Sequence, residues 1–177
     1  MTENGKVMAD AFDEHMRCEF VTLDVPGTMR TMTANPHLTH LPTLMGGVGR
    51  EEVADFYRDH FVGHWPKDMK AIPISRTIGD NQVIDELIVC FTHDIVMNTY
   101  LPGVAPTGKA VKLPHVVVVK FEGGKVAHEH IYWDQACLLV QVGLLDPKLL
   151  PVIGVEQAEK LLDVSRPVNG LLAARHG

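Results

Sequence analysis

Only three cysteines occur in the 177 residues, Cys18, Cys90 and Cys137, far apart and without paired spacing. That argues against a disulfide framework and a zinc knuckle. Their apolar neighbours mark them as small buried hydrophobes of a reduced, cytoplasmic protein. Positive charge is also scarce. Sixteen Lys and Arg stand against 22 Asp and Glu, for a formal net charge of −6 with no basic cluster. No nucleic-acid partner is therefore expected. No apolar run approaches the roughly 18 residues of a membrane span, so no membrane partner is expected either. The start, MTENGKVMADAFDEH, is too acidic and polar for a secretory signal or transit peptide. Internal repeats, low-complexity tracts and interdomain linkers are missing as well. What remains is 46% hydrophobic and 21% charged, the balance of an ordinary globular protein. The expectation is a single domain over residues 1–177, with a core over about 7–146 and a C-terminal helical extension over 147–177.

The first third reads as helix. Met8, Phe12, Met16 and Phe20 recur every fourth residue between Val7 and Leu23, an amphipathic stripe. Asp24 and Pro26 suit the start of a short second helix carrying Met29 and Met32. The proline-bounded PHLTHLP at 36–42 suggests an edge strand. Gly46-Gly-Val-Gly49 suggests a flexible connection into a helix whose inner stripe is Val53, Phe56, Tyr57, His60 and Phe61. From Ile72 onward the pattern is strand-like: Ile74–Ile78, Gln82–Met97, Ala110–Phe121 and Lys125–Trp133. Helix returns after Asp134, and Glu156–Leu162 makes a last short one. Helices followed by a long antiparallel meander indicate α+β, with helices packed on one face of a curved sheet.

The stretch KVAHEHIYWDQ, residues 125–135, gathers two histidines, an aromatic pair and a carboxylate. Gly123-Gly124 fits a two-residue hairpin loop, and pairing Glu122 with Lys125 sets the register. Val117 then faces His130, His115 faces Tyr132 and Leu113 faces Asp134. By alternation, Asp134, Tyr132, His130 and His128 share a face with Leu113, His115 and Val117, whereas Glu129 and Trp133 face away.

The stretches GGVGREEVADFYRDHF, PISRTIGDNQVIDELIVCFTHD and VVVVKFEGGKVAHEHIYWDQACLLVQVGLLD resemble the SnoaL-like polyketide cyclase branch of the nuclear transport factor two-like superfamily. They span most of the chain, from about Gly46 to Asp146. The resemblance implies a cone-shaped α+β barrel with a deep apolar pocket between sheet and helices, in a homodimer or higher homo-oligomer. It implies enzymes such as polyketide cyclases, ketosteroid isomerase, limonene epoxide hydrolase and formaldehyde-releasing lyases, working without cofactor or metal. Asp134, at the end of HIYWD, matches the pocket aspartate that does acid–base work in the cyclases and the epoxide hydrolase.

The expected catalytic group is therefore Asp134, with His130 and His115 orienting it, shuttling its proton or polarising a carbonyl. Tyr57, His40, Tyr132, Phe61, His93, Leu113 and Val117 are the expected substrate-binding residues. The substrate would be small and mostly apolar, aromatic or polyketide-derived, and the reaction a cyclisation, isomerisation or lyase step. Two alternatives stay open. One is an epoxide or lactone hydrolase with a water held by Asp134. The other is a non-catalytic ligand-binding or assembly module in which Asp134 only caps the following helix, both oxygens occupied. His128-x-His130 also has the geometry of paired metal ligands, with His115 or Asp134 completing a site. His93-Asp94 cannot form a diad, because strand neighbours point to opposite sides. Nor does Gly46–Gly49 follow a nucleotide-binding strand, and no serine or cysteine sits in a nucleophile elbow.

Overall fold

In the computed structural model, which describes residues 2–173, α1 (Glu3–Phe20) is launched by Thr2, whose hydroxyl accepts the Gly5 N–H. Its buried face carries Met8 and Phe12 and then turns to His15 and Glu19. Met16 and Phe20, the second half of the expected stripe, are half-buried. Asp24 caps α2 (Val25–Thr31) by accepting the Gly27 N–H. Met32, expected in that helix, instead begins β1 (Met32–His40).

The sheet has the order β2-β1-β6-β5-β4-β3 and is curved but unclosed. Strands β3 (Lys70–Ile78), β4 (Gln82–Thr92), β5 (Ala110–Glu122) and β6 (Lys125–Trp133) form the expected antiparallel meander. β1 is not an edge strand: it lies parallel to β6 and antiparallel to β2 (Met45–Val48). Part of the stretch expected as a flexible connection is thus the edge strand itself. Its glycines make this possible. A Cβ on Gly46 (φ +147°) would lie 2.0 Å from the Leu38 carbonyl oxygen, and one on Gly47 would lie 2.6 Å from the Glu52 carbonyl carbon. Only bare backbone fits between β1 and the next helix.

That helix, α3 (Arg50–Phe56), runs on into a π-helical turn, Tyr57–Phe61. Packing α1, α2 and α3 over the concave face builds one core of Phe12, Leu38, Tyr57, Val119 and Trp133 among others. After β6 come α4 (Gln135–Gln141), α5 (Glu156–Leu162) and α6 (Gly170–Ala173). Ala158 of α5 packs on the convex face against Ile88 and Cys90. Among the described residues, no helix is long and apolar enough to cross a membrane.

The β5–β6 hairpin carries the decisive departure. Glu122 pairs with Lys125 and Phe121 with Val126, but Lys120 then pairs with His128. One residue, Ala127, is extra, a β-bulge just past the turn. Beyond it every partner moves by one: Val119 opposes Glu129, Val117 opposes Ile131 and His115 opposes Trp133. A shift of one reverses the faces of β6 relative to β5. Glu129, Ile131 and Trp133 are buried on the concave side, whereas His128, His130 and Tyr132 turn to the convex side, with Tyr132 exposed. The apolar pair Ile131 and Trp133 gains more from burial than the imidazoles would, which favours the bulged register.

Candidate functional site

A cavity of about 490 Å³ lies between α1 and the concave face of the sheet. Its walls are mostly apolar, including Phe12, Phe20, Phe61, Leu87 and Val117. The exposed lining residues Asp13 and Arg17 of α1 and Val21 just after it, with Lys70 and Ala71 of β3, mark the mouth. Four buried polar side chains also line it: Glu19, Glu129, His40 and His115.

Glu19 and Glu129 approach one histidine. His15 and Glu19 are four apart on α1, so the helix stacks them on one side. The bulge turns Glu129 toward them from β6. His15 Nε2 lies 3.0 Å from Glu19 Oε1 and 3.2 Å from Glu129 Oε1. Its proton count follows from its partners. The Thr31 hydroxyl donates to the Thr28 carbonyl, so it accepts from His15 Nδ1 at 2.6 Å. The Tyr57 hydroxyl donates to Glu129 Oε2 at 3.0 Å, so it accepts from His15 Nε2 at 3.2 Å. With both nitrogens donating, His15 is an imidazolium. Burial opposes that charge, yet Glu19 and Glu129 outweigh it and hold the His15 pKa well above its usual value.

The two carboxyls differ. Burial would push Glu129 up, but His15 and the Tyr57 hydroxyl outweigh it and keep its pKa low. For Glu19 burial prevails over the attraction of His15, Glu129 adds like-charge repulsion, and the pKa is raised. The cluster thus settles as an ion pair, His15 with Glu129, beside a Glu19 that retains its proton more readily, a division that avoids a second buried net charge. Glu19 Oε1 is buried and has no hydrogen-bond partner in line. Its nearest charged neighbour is His15 Nε2, and other atoms of Glu19 contribute to the cavity wall.

His40 Nδ1 faces the Met45 carbonyl oxygen at 3.3 Å, and burial pushes its pKa down to about 4. The ring is neutral, with Nδ1 donating, which leaves Nε2 as an acceptor in a residue lining the cavity. His115 is neutral too, lowered to about 4 by burial. Its Nδ1 donates to the Leu113 carbonyl at 2.8 Å, and its Nε2 accepts from the Tyr100 hydroxyl at 2.7 Å. Both of its nitrogens are occupied.

The structure does not bring Asp134, His130 and His115 together. Asp134 is exposed and caps α4: Oδ1 accepts the N–H groups of Ala136 and Cys137, and Oδ2 accepts from Gln157 Nε2 at 2.6 Å. His130 and Tyr132 lie across the sheet from the cavity because of the bulge at Ala127. His40, Phe61, Val117 and His115 do line the cavity. Tyr57 lies behind its wall, bonded to Glu129, and Leu113 is fully buried core. His93 is buried at the loop after β4, where Nδ1 meets Thr107. Glu129 and Trp133, expected to face away, are on the cavity side. A signal for this was present: Ala127, Ile131 and Trp133 form the more apolar half of β6, and the glutamate between them travels inward with them. On α1, His15 and Glu19 follow Phe12 at helical spacing, a polar pair on the buried face.

No protein-family model matches the sequence, and no curated protein matches it. Solved structures do. A protein from Jannaschia provisionally named a SnoaL-like polyketide cyclase superposes with a TM-score of 0.63 at 16% identity, over 82% of this chain and 98% of its own. This is the NTF2-like fold. An NTF2-like protein of unknown function from Burkholderia pseudomallei gives a TM-score of 0.55 at 20% identity, covering 80% of this chain and 98% of its own. A hypothetical protein with a ketosteroid isomerase-like fold from Catenulispora acidiphila, in complex with trimethylamine, gives 0.57 at 11% identity, over 77% and 94%. The NTF2-like cone expected from the sequence is therefore the one observed, and at these identities the likeness extends to fold alone.

Proposed function

We propose that the chain is a cofactor-independent acid–base enzyme of the isomerase or cyclase kind, acting on a small, largely apolar substrate that carries a carbonyl or hydroxyl. The carrying observation is Glu19: a buried carboxyl with a raised pKa, in ion contact with His15, on a residue that lines the cavity. A carboxyl tuned upward in this way sits nearer the range useful for proton transfer at neutral pH. Glu19 gives its proton to a developing oxyanion or carbon, and the carboxylate so formed takes one back from the substrate. Burial, with the like charge of Glu129, raises the Glu19 pKa against the opposing pull of His15 and Tyr57. His40 Nε2 accepts a hydrogen bond from a substrate hydroxyl and orients it. The apolar walls exclude water, which strengthens each of these interactions.

A hydrolase built on an Asp134-held water has no support in this geometry, since both Asp134 oxygens are engaged outside the cavity. The test is deuterium exchange into a panel of enolisable aromatic and alicyclic ketones in D2O, followed by proton NMR. Wild type should accelerate exchange at carbons beside the carbonyl for at least one ketone, and Glu19→Gln should lose that acceleration by about 100-fold or more. Equal rates in the two proteins would remove Glu19 from the mechanism.

A further inference from the structure

The bulge that turns Glu129 inward sends His128 and His130 to the convex face, where β1 supplies a third imidazole. In the parallel β1–β6 pairing, His37 stands opposite His128 and Thr39 opposite His130. The rings gather closely. His37 and His128 stack at 4.7 Å, His128 and His130 at 4.2 Å, and His37 Nε2 lies 3.2 Å from His130 Nε2. One nitrogen from each of the three falls within 4.8 Å of the others. All three side chains are half-buried, so the cluster is open to solvent on one side.

We propose that His37, His128 and His130 form a binding site for one divalent first-row transition metal ion, of the zinc or nickel class, clamping β1 to β6. Three observations support it. Nitrogens at about 2.0–2.1 Å from a tetrahedral ion lie roughly 3.3–3.4 Å from one another, close to the 3.2 Å between His37 and His130. Imidazole suits these ions, and no thiolate or carboxylate joins the cluster to favour others. The ligands stand on paired strands, whose spacing is fixed by backbone hydrogen bonds, so little ordering is needed on binding. Three ring ligands leave a tetrahedral ion one open position, facing solvent, for water or an external donor. The site is separated from the cavity by the sheet, and nothing in it depends on Glu19.

The experiment uses the full-length chain without an affinity tag, stripped with EDTA and dialysed. Zinc chloride is titrated calorimetrically, and cobalt chloride is followed by visible absorption. The expected result is one ion per chain, intense d–d bands of a four-coordinate cobalt site, and a rise in melting temperature with free zinc. His37→Gln and His130→Gln should each weaken binding by more than the roughly tenfold that loss of an outer-shell partner costs. The triple variant with His128→Gln should not bind, while its circular dichroism stays that of wild type. Because His15, Glu19 and Glu129 also have ligand atoms close together, Glu129→Gln is the control and should bind zinc as wild type does. Absence of binding by wild type at micromolar zinc, full binding by the triple variant, or loss confined to Glu129→Gln would each overturn the proposal. None of these outcomes bears on the proton chemistry assigned to Glu19.

Discussion

Tyr57 donates its hydroxyl proton to Glu129 Oε2 at 3.0 Å, tying the π-helical turn after α3 to the middle of β6. The Tyr57 hydroxyl oxygen in turn accepts from His15 Nε2 of α1 at 3.2 Å. One phenol therefore joins three elements of the cone behind the cavity wall.

Tyr57→Phe removes that junction and leaves Glu129 and His15 each short of one buried partner. We expect the folded state to lose about 1–3 kcal/mol, read from urea unfolding at pH 7. An unchanged midpoint would show that the cluster does not bear on stability.

Acid should weaken the fold before the carboxylates titrate. His40 and His115 are buried and neutral, with pKa values lowered from 6.5 to about 4. Between those values the unfolded chain binds protons that the native chain does not, so stability falls as pH drops from about 6.5 to about 4. At about 1.4 kcal/mol per unit, each histidine contributes on the order of 3 kcal/mol across the window. His15 has the opposite sign. Its raised pKa gives a contribution fully present below 6.5 and lost only as pH rises through the folded value. Urea midpoints at pH 7, 6 and 5 should fall in wild type, and the fall should be shallower in His40→Gln.

Asp134→Ala should act on the helix and leave the chemistry alone. The cap of α4 loses two backbone bonds and the Gln157 contact, a change worth about 0.5–2 kcal/mol. Ketone exchange by the variant should equal that of wild type below its melting temperature. A loss of turnover without a loss of stability would return Asp134 to the mechanism.

Gly46→Ala tests the flat edge of the sheet. Its Cβ would meet the Leu38 carbonyl oxygen at 2.0 Å in a backbone at φ +147°, so β2 must move away from β1. The expected loss exceeds the roughly 1 kcal/mol typical of point substitutions, measured by thermal unfolding. Gly103→Ala shares a positive φ of +75° but meets nothing within 4 Å, and should cost less.

Helical spacing and strand periodicity by themselves determined the α+β class and the strands of the meander, because each rests on contacts between near neighbours in the chain; the cone came with the family resemblance, and for Asp134 the pattern left a cap and a catalytic role both open. The sequence reading also placed His40, Phe61, Val117 and His115 toward the cavity. Which face of β6 looks inward was decided only in the tertiary structure. Alternation fixes the relative sides of Glu129, His130 and Trp133, and a single extra residue, Ala127, inverts all of them at once. KVAHEHIYWDQ is still the stretch that matters, but its histidines and its glutamate serve opposite faces. Its partners, His15 and Glu19 on one side and His37 on the other, lie more than ninety residues away in sequence, beyond the reach of any local pattern. They meet β6 only because the sheet curls under α1 and takes β1 in parallel beside it.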